Sequence, residues 1–224
     1  MQWDFSSVWS NIGILSHALL VTFAVSAASI ALGTVLGTCL AIGALSSIAV
    51  IRFFAHGTIE FLLAMPALVL IVWIYYCLPL LASHIVLSGF NAAVLGLGLS
   101  LSGFVAQITR AGINTVPQGQ LESAYCLGVS RWEAMRFILL PQAFRRMLPP
   151  LMGQYITCYK FSTLASIVAV GELLHTGSTI IAQTYRPLEV YTAIAAIFLV
   201  TVIPLNHLAA KLERFSHFGG VQGL

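Results

Sequence analysis

Between Asp4 and Arg52 the chain carries no Asp, Glu, Lys or Arg, and the run from Phe61 to Thr109 is equally free of them. Stretches this long and apolar leave few folds open. Roughly 20 helical residues cross a bilayer, and inside lipid only a helix or a closed barrel satisfies its own backbone. The first apolar stretch, about 15–45, exceeds one crossing. The second is about twice a crossing and is interrupted near Pro79, His84, Ser88 and Asn91, so it predicts two spans. A composition of 59% hydrophobic and 8% charged residues over 224 positions lies far outside globular usage. The expected fold is all-α: one polytopic transmembrane helical bundle over the whole chain, with five spans at about 15–45, 59–79, 90–110, 147–174 and 189–210.

An odd number of spans puts the termini on opposite sides, and basic residues choose the side. With the N-terminus outside, Arg52, the five arginines from Arg110 to Arg146, Lys211 and Arg214 are all cytoplasmic, eight of the ten basic residues. Lys160, inside a span, and Arg186, in an outer loop, are the exceptions. These charges lie beside apolar spans rather than on one soluble face, so they read as topology signals, and no nucleic-acid partner is expected. No basic residue precedes Arg52, which predicts that the first span is retained rather than cleaved. Trp3, Phe5 and Trp9 among polar neighbours predict a short segment at the outer interface. Ser29, Gly33, Gly37 and Ala41 recur every four residues, the spacing that lets helix backbones touch in lipid, either within the chain or at a subunit interface.

The island from Arg110 to Arg146 holds half of the Lys and Arg residues and is organised as a hairpin over 116–141. Pro117 suits a helix start, and Leu121, Ala124, Tyr125 and Gly128 share a helical face. Gly128 supplies a stop. Ser130-Arg131-Trp132-Glu133 then fits a capping box that opens a second helix, which Pro141 is expected to end. So ordered a polar hairpin at one membrane face predicts a docking surface for a soluble partner.

Its residues also carry a resemblance. Glu122-x-Ala124, three residues, Gly128, nine residues, then Ile138-x-Leu140-Pro141 resembles the Glu-Ala-Ala loop of bacterial ABC importer permeases, with Ser123 in place of the middle alanine. Ile108-Thr109-Arg110-Ala111-Gly112-Ile113, Val116-Pro117-Gln118-Gly119-Gln120 and the stretch from Leu140 to Pro150 are similar to the polar amino acid branch of that family. The resemblance implies a type I importer permease fold in the bacterial cytoplasmic (inner) membrane. It further implies cytoplasmic ATPase subunits that bind ATP and Mg, a second permease subunit (a copy or a paralogue) and an extracytoplasmic solute-binding protein. Glu122, Ser123, Ala124 and Gly128 would face the ATPase, with Arg131 and Arg136 as ionic partners. Two stretches depart from the family. Leu63-Ala64-Met65-Pro66 lacks an arginine common there, and Lys160-Phe161-Ser162-Thr163-Leu164 lacks the usual aspartate.

Ionisable groups inside a membrane are costly and face a cavity or a partner, so Lys160 and Glu172 are candidates for the solute path. On a straight helix they would be ~18 Å apart. Ser162, Thr163, Ser166 and Gly171 between them suit a break whose freed backbone and hydroxyls line a polar site. Lys160 serves either solute contact or an ion pair. Gln107 and Glu60 are further candidates, against a helix–helix hydrogen bond and an interfacial carboxylate near Arg52. No Gly-Lys-Ser/Thr phosphate loop exists, so ATP hydrolysis belongs to another subunit and this chain is not expected to be an enzyme or to bind a cofactor. The six histidines and four cysteines show no metal-ligand spacing. The competing class is a secondary transporter or channel driven by an ion gradient, with Lys160 and Glu172 as relay groups.

Overall fold

The computed structural model describes residues 3–81 and 86–217, with backbone alone for 214–217; the break expected near His84 lies outside the described residues. Every regular element among them is helical. A short interfacial helix, α1 (Ser6–Ser10), leads into α2 (Ile12–Ala44), α3 (Ala49–Ala64) and α4 (Ala67–Val72). A wide π turn, Trp73–Cys77, joins α4 to α5 (Leu78–Leu81), and α6 (Gly89–Asn114) follows. The hairpin comprises α7 (Gln118–Cys126), α8 (Arg131–Glu133) and a second π turn, Ala134–Leu139, which runs straight into α9 (Leu140–Phe161). A 3-10 segment, Ser162–Val168, precedes α10 (Leu173–Thr184) and α11 (Pro187–His217). Helices α2, α6 and α11 are each long and apolar enough to cross a membrane, and two bent helix pairs bring the total to five if each pair is one span.

Helix α6 is the axis of the bundle, and α2 lies directly against it. A Cβ at Gly33 would stand 2.8 Å from the Gly98 carbonyl oxygen, and one at Gly37 2.6 Å from that of Ser102. Ser29, Gly33, Gly37 and Ala41 are all buried, so the small-residue stripe serves contact within the chain. The core of Val25, Ile71, Leu97, Leu101, Val105 and Met147 forms around this contact. Tyr159 ties α9 to its neighbours: its ring stacks 5.1 Å from Phe23, and its hydroxyl lies 2.9 Å from Thr201 Oγ1. At the end carrying α1, Arg186 pairs with Asp4 at 3.2 Å and with Glu189 at 3.3 Å, which fastens α1 to the start of α11.

Two expected spans are not straight. In place of one helix over 59–79, α3 begins at Ala49 and the chain turns through 101° into the helices that follow Pro66. A residue before proline is forced out of helical geometry, and Met65 is extended at φ −85°, ψ 124°. In place of a span over 147–174, α9 stops at Phe161, and Ala169 takes a left-handed φ of 56° before α10 starts with a 48° bend. Glu172 opens α10 by accepting the N–H groups of Leu174 and His175, at 2.9 and 2.8 Å. Thr22 Oγ1 accepts the next donor, Leu173 N–H, at 3.1 Å.

The hairpin closes on local geometry. Val129 N–H reaches the Ala124 carbonyl and Gly128 N–H the Tyr125 carbonyl, both at 3.0 Å, a Schellman stop that needs the left-handed residue supplied by Gly128 at φ 81°. Ser130 and Glu133 form the full capping box. Pro141, however, does not end the second helix. The π turn over Ala134–Leu139 precedes it, so the proline falls at the opening of α9, where its missing N–H is tolerated and the helix continues to Phe161.

If the α2–α6 contact organises the bundle, Gly37→Leu destabilises the purified protein by about 1–3 kcal/mol through overpacking, read as a lower thermal midpoint in detergent. Gly13→Leu, whose Cβ would meet nothing within 4 Å, does not lower it. The Glu133 carboxyl lies below its ordinary 4.5, chiefly because the Ser130 hydroxyl donates to it and then because Ser130 N–H does. Stabilisation from a carboxyl depressed in this way is complete above that ordinary value and is lost as pH falls through the lower folded value. Protection of the Ser130 and Glu133 amides from hydrogen exchange, relative to intrinsic rates, is therefore expected to hold down to about pH 4.5 and then decline. In Glu133→Gln it should be flat over the same range.

Candidate functional site

Two regions carry the candidate residues, and one continuous helical stretch connects them. On the hairpin, Glu122 and Ser123 point outward, and Ser123 Oγ returns a 2.7 Å hydrogen bond to the Gly119 carbonyl. Ala124 is 4% exposed and sits where α7 meets the π turn, so it holds the two helices together while Glu122 faces out. Arg131 is exposed, and the Arg136 guanidinium lies 5.6 Å from the centre of the Phe137 ring. Around these charges Leu127, Trp132 and Phe137 are exposed, Leu127 at 84%, an apolar surface that no described residue of this chain covers. Two ties hold the hairpin to the bundle: Gln142 Nε2 donates to Gln120 Oε1 at 2.7 Å, and Arg146 donates to the Thr115 carbonyl.

The second region lies at the α3–α4 corner. A cavity of about 230 Å³ opens between Ala67, Ser100 and Phe104 on one side and Gln154, Thr157 and Phe161 on the other. It continues into a groove along Leu63, Met65 and Pro66, with Ser100, Phe104 and Phe161 shared between the two. Both departures from the family pattern, at Leu63 and at Phe161, thus meet in one place although nearly a hundred positions separate them.

The path candidates divide into two groups. Lys160 is exposed on the last turn of α9, beside Phe161 and one turn beyond Thr157. Gln107 is exposed one turn along α6 from Phe104, and Glu60 one turn along α3 from Leu63. Each of the three is thus adjacent along its helix to a lining residue, but none of them lines the cavity or the groove itself. Ser162 and Glu172 are instead fully buried: Ser162 Oγ donates to the Tyr159 carbonyl at 2.7 Å, and Glu172 caps α10. Thr163 Oγ1 donates to the Lys160 carbonyl at 2.9 Å, on the 3-10 turn that makes the break. Sequence reasoning passed over Ser100, Phe104, Gln154 and Thr157. The last two were legible in principle, since Gln154, Thr157 and Lys160 repeat at three-residue spacing on one helix. Ser100 and Phe104 carry no such signal.

The chain is 33% identical over 214 residues to the glutamine transport system permease protein of Escherichia coli, covering 96% of this chain and 98% of that one. It is 29% identical over 214 residues to the arginine transport system permease protein of Bacillus subtilis, covering 96% and 97%. Among solved structures, the crystal structure of an amino acid ABC transporter with histidines superposes at a TM-score of 0.88 with 32% identity, over 96% of this chain and 99% of that chain. An inward-facing methionine ABC transporter shares the fold at a TM-score of 0.71 and 17% identity. The same architecture therefore recurs in type I ABC importer permeases. Residues 33–215, from the small-residue stripe through the hairpin to the last helix, match the binding-protein-dependent transport system inner membrane components, and the chain belongs to that family.

Proposed function

We propose that this chain is the membrane-spanning permease subunit of an ATP-driven ABC importer that admits an amino acid to the bacterial cytoplasm. Beyond family membership, one observation carries the reading. The helical stretch 131–161 runs unbroken from the capped turn of the hairpin to Phe161 in the groove wall. A push or pull on the hairpin is thereby delivered to the cavity wall by a single lever, as a two-state path needs.

In this reading the hairpin sits on a cytoplasmic ATPase subunit, with Glu122, Ser123 and the Gly128 turn as the gripped surface and Arg131 and Arg136 flanking it. ATP and Mg belong to the ATPase subunits, and this chain binds neither. Two permease subunits enclose the path, a solute-binding protein delivers to its outer mouth, and ATP-driven closure of the ATPases draws the hairpins together. The N-terminus lies outside and the C-terminus in the cytoplasm, which keeps Arg52 and the hairpin arginines on the cytoplasmic side. Lys160, Gln107 and Glu60 border the solute path; Thr163, Ser162 and Glu172 maintain the break that shapes it.

Gly128→Pro forbids the left-handed turn, and Glu122→Arg reverses the charge on the gripped surface. Both variants are expected to insert normally, and both to abolish ATP-dependent uptake by the reconstituted complex. Uptake at the unaltered rate would remove the docking role from the hairpin.

A further inference from the structure

The cavity at the α3–α4 corner has a chemistry that narrows its occupant. No Asp, Glu, Lys or Arg lines it. A cationic or anionic side chain moved there from water would lose its hydration with no counter-charge in the wall, a cost that burial makes severe. Two aromatic rings, Phe104 and Phe161, stand in the wall instead, and both also line the adjoining groove.

The polar groups of the wall are few: the Thr157 hydroxyl is committed to the Gly153 carbonyl at 2.9 Å, and Ser100 and Gln154 are the uncommitted ones among the described residues. Ser100 is 8% exposed, and among the described residues its hydroxyl has no hydrogen-bond partner. An unpaired hydroxyl on a cavity wall is available both to donate to and to accept from a ligand there. The Gln154 amide is likewise without a partner among the described residues. Lys160, exposed beside Phe161, is the cation that adjoins the lining along the chain, although it lines neither the cavity nor the groove itself. It lies ~21 Å of helix beyond Arg146, deep within a hydrocarbon layer about 30 Å thick. An exposed ammonium at that depth faces a polar path rather than lipid. It attracts a carboxylate and repels a second cation.

We propose that this cavity selects an amino acid with an uncharged, predominantly apolar side chain. That side chain lies between Phe104 and Phe161, the Ser100 hydroxyl and the Gln154 amide take its polar groups, and the α-carboxylate lies toward Lys160. The assignment rests on the importer reading above and adds the solute class to it. Cationic side chains are excluded twice, by the missing counter-charge and by Lys160.

A binding protein filters solutes before they reach the membrane, so the test measures the permease directly. Radiolabelled phenylalanine is bound to the complete permease–ATPase complex in nanodiscs, without the binding protein, and displaced by unlabelled leucine, glutamine, glutamate or arginine. Leucine is expected to displace at concentrations close to those of phenylalanine, and arginine to need at least about tenfold more, the order of penalty for an unpaired charge. Phe161→Asp should weaken phenylalanine and improve arginine by a similar factor. Ser100→Ala should weaken every solute without changing their order, which keeps the test informative if Phe161→Asp fails to fold. Absence of saturable phenylalanine binding, arginine displacing as well as leucine, or an order unmoved in a folded Phe161→Asp complex would each overturn the assignment. ATP-dependent uptake with the binding protein present is scored separately: if it persists while the displacement order fails, the cavity assignment falls and the importer reading stands, whereas its absence removes the importer reading itself.

Discussion

The backbone contact between α2 and α6 is the constraint on which the other elements depend. Lipid tails are as apolar as leucine, so spans in a membrane associate through close packing rather than through hydrophobic exclusion. Gly33 and Gly37 give α2 that packing by bringing its backbone against the carbonyls of Gly98 and Ser102. Once α6 is held there, its remaining faces are committed. Gly103 accepts Leu62 and Leu63 at the end of α3, where a Cβ would lie 3.1 Å from that of Leu62, and the corner at Pro66 then hangs over Ser100 and Phe104. The cavity is thus the gap left where a bent helix pair cannot follow a straight axis.

Bending in a membrane leaves backbone groups to satisfy, and buried polar side chains do so here. Glu172 and Thr22 take the first donors of α10, and Ser162 returns its hydroxyl to the end of α9. A carboxylate with both oxygens occupied by helix donors is structural, and it leaves Lys160, exposed at the end of α9, as the other ionisable group of that stretch. The distribution of labour follows from the break: on one side the chain caps and seals, on the other it exposes polar groups beside the aromatic wall. The π turn over Ala134–Leu139 does the complementary work at the other end. It absorbs the change of direction between hairpin and bundle without ending the helix, so the exposed hairpin surface and the wall of the cavity belong to one continuous helical stretch.

Legibility in the sequence followed the range of the interactions. The Schellman stop at Gly128 and the box of Ser130 with Glu133 are decided within six or seven residues, and both were readable from residue types and spacing. The small-residue stripe of α2 announced a close helix contact but left its partner open, because a stripe specifies one surface and not the one it meets. The expected end at Pro141 failed because a proline stops a helix only where an intact α-helical ladder demands its N–H, and the π turn ahead of it changes that ladder. Helix α10 was missed because Leu173–Thr184 is too short and too polar to register as a span, and because Glu172, its local cap, was read as an ionisable group within a span; only the Leu173 N–H relies on a distant partner, Thr22, 151 positions away.

By itself, the sequence determined that the chain is a helical membrane protein with a capped polar hairpin, because charge-free length and local capping chemistry are properties of contiguous residues. Its arginines determined which face that hairpin is expected to occupy. The tertiary structure alone decided that Leu63 and Phe161 share one groove, that Ser100 has no partner in its wall among the described residues, and that Glu172 caps a helix while Lys160 stays exposed. Those outcomes depend on how a 101° corner and a helix end meet across α6, and no run of neighbouring residues encodes the distance between them.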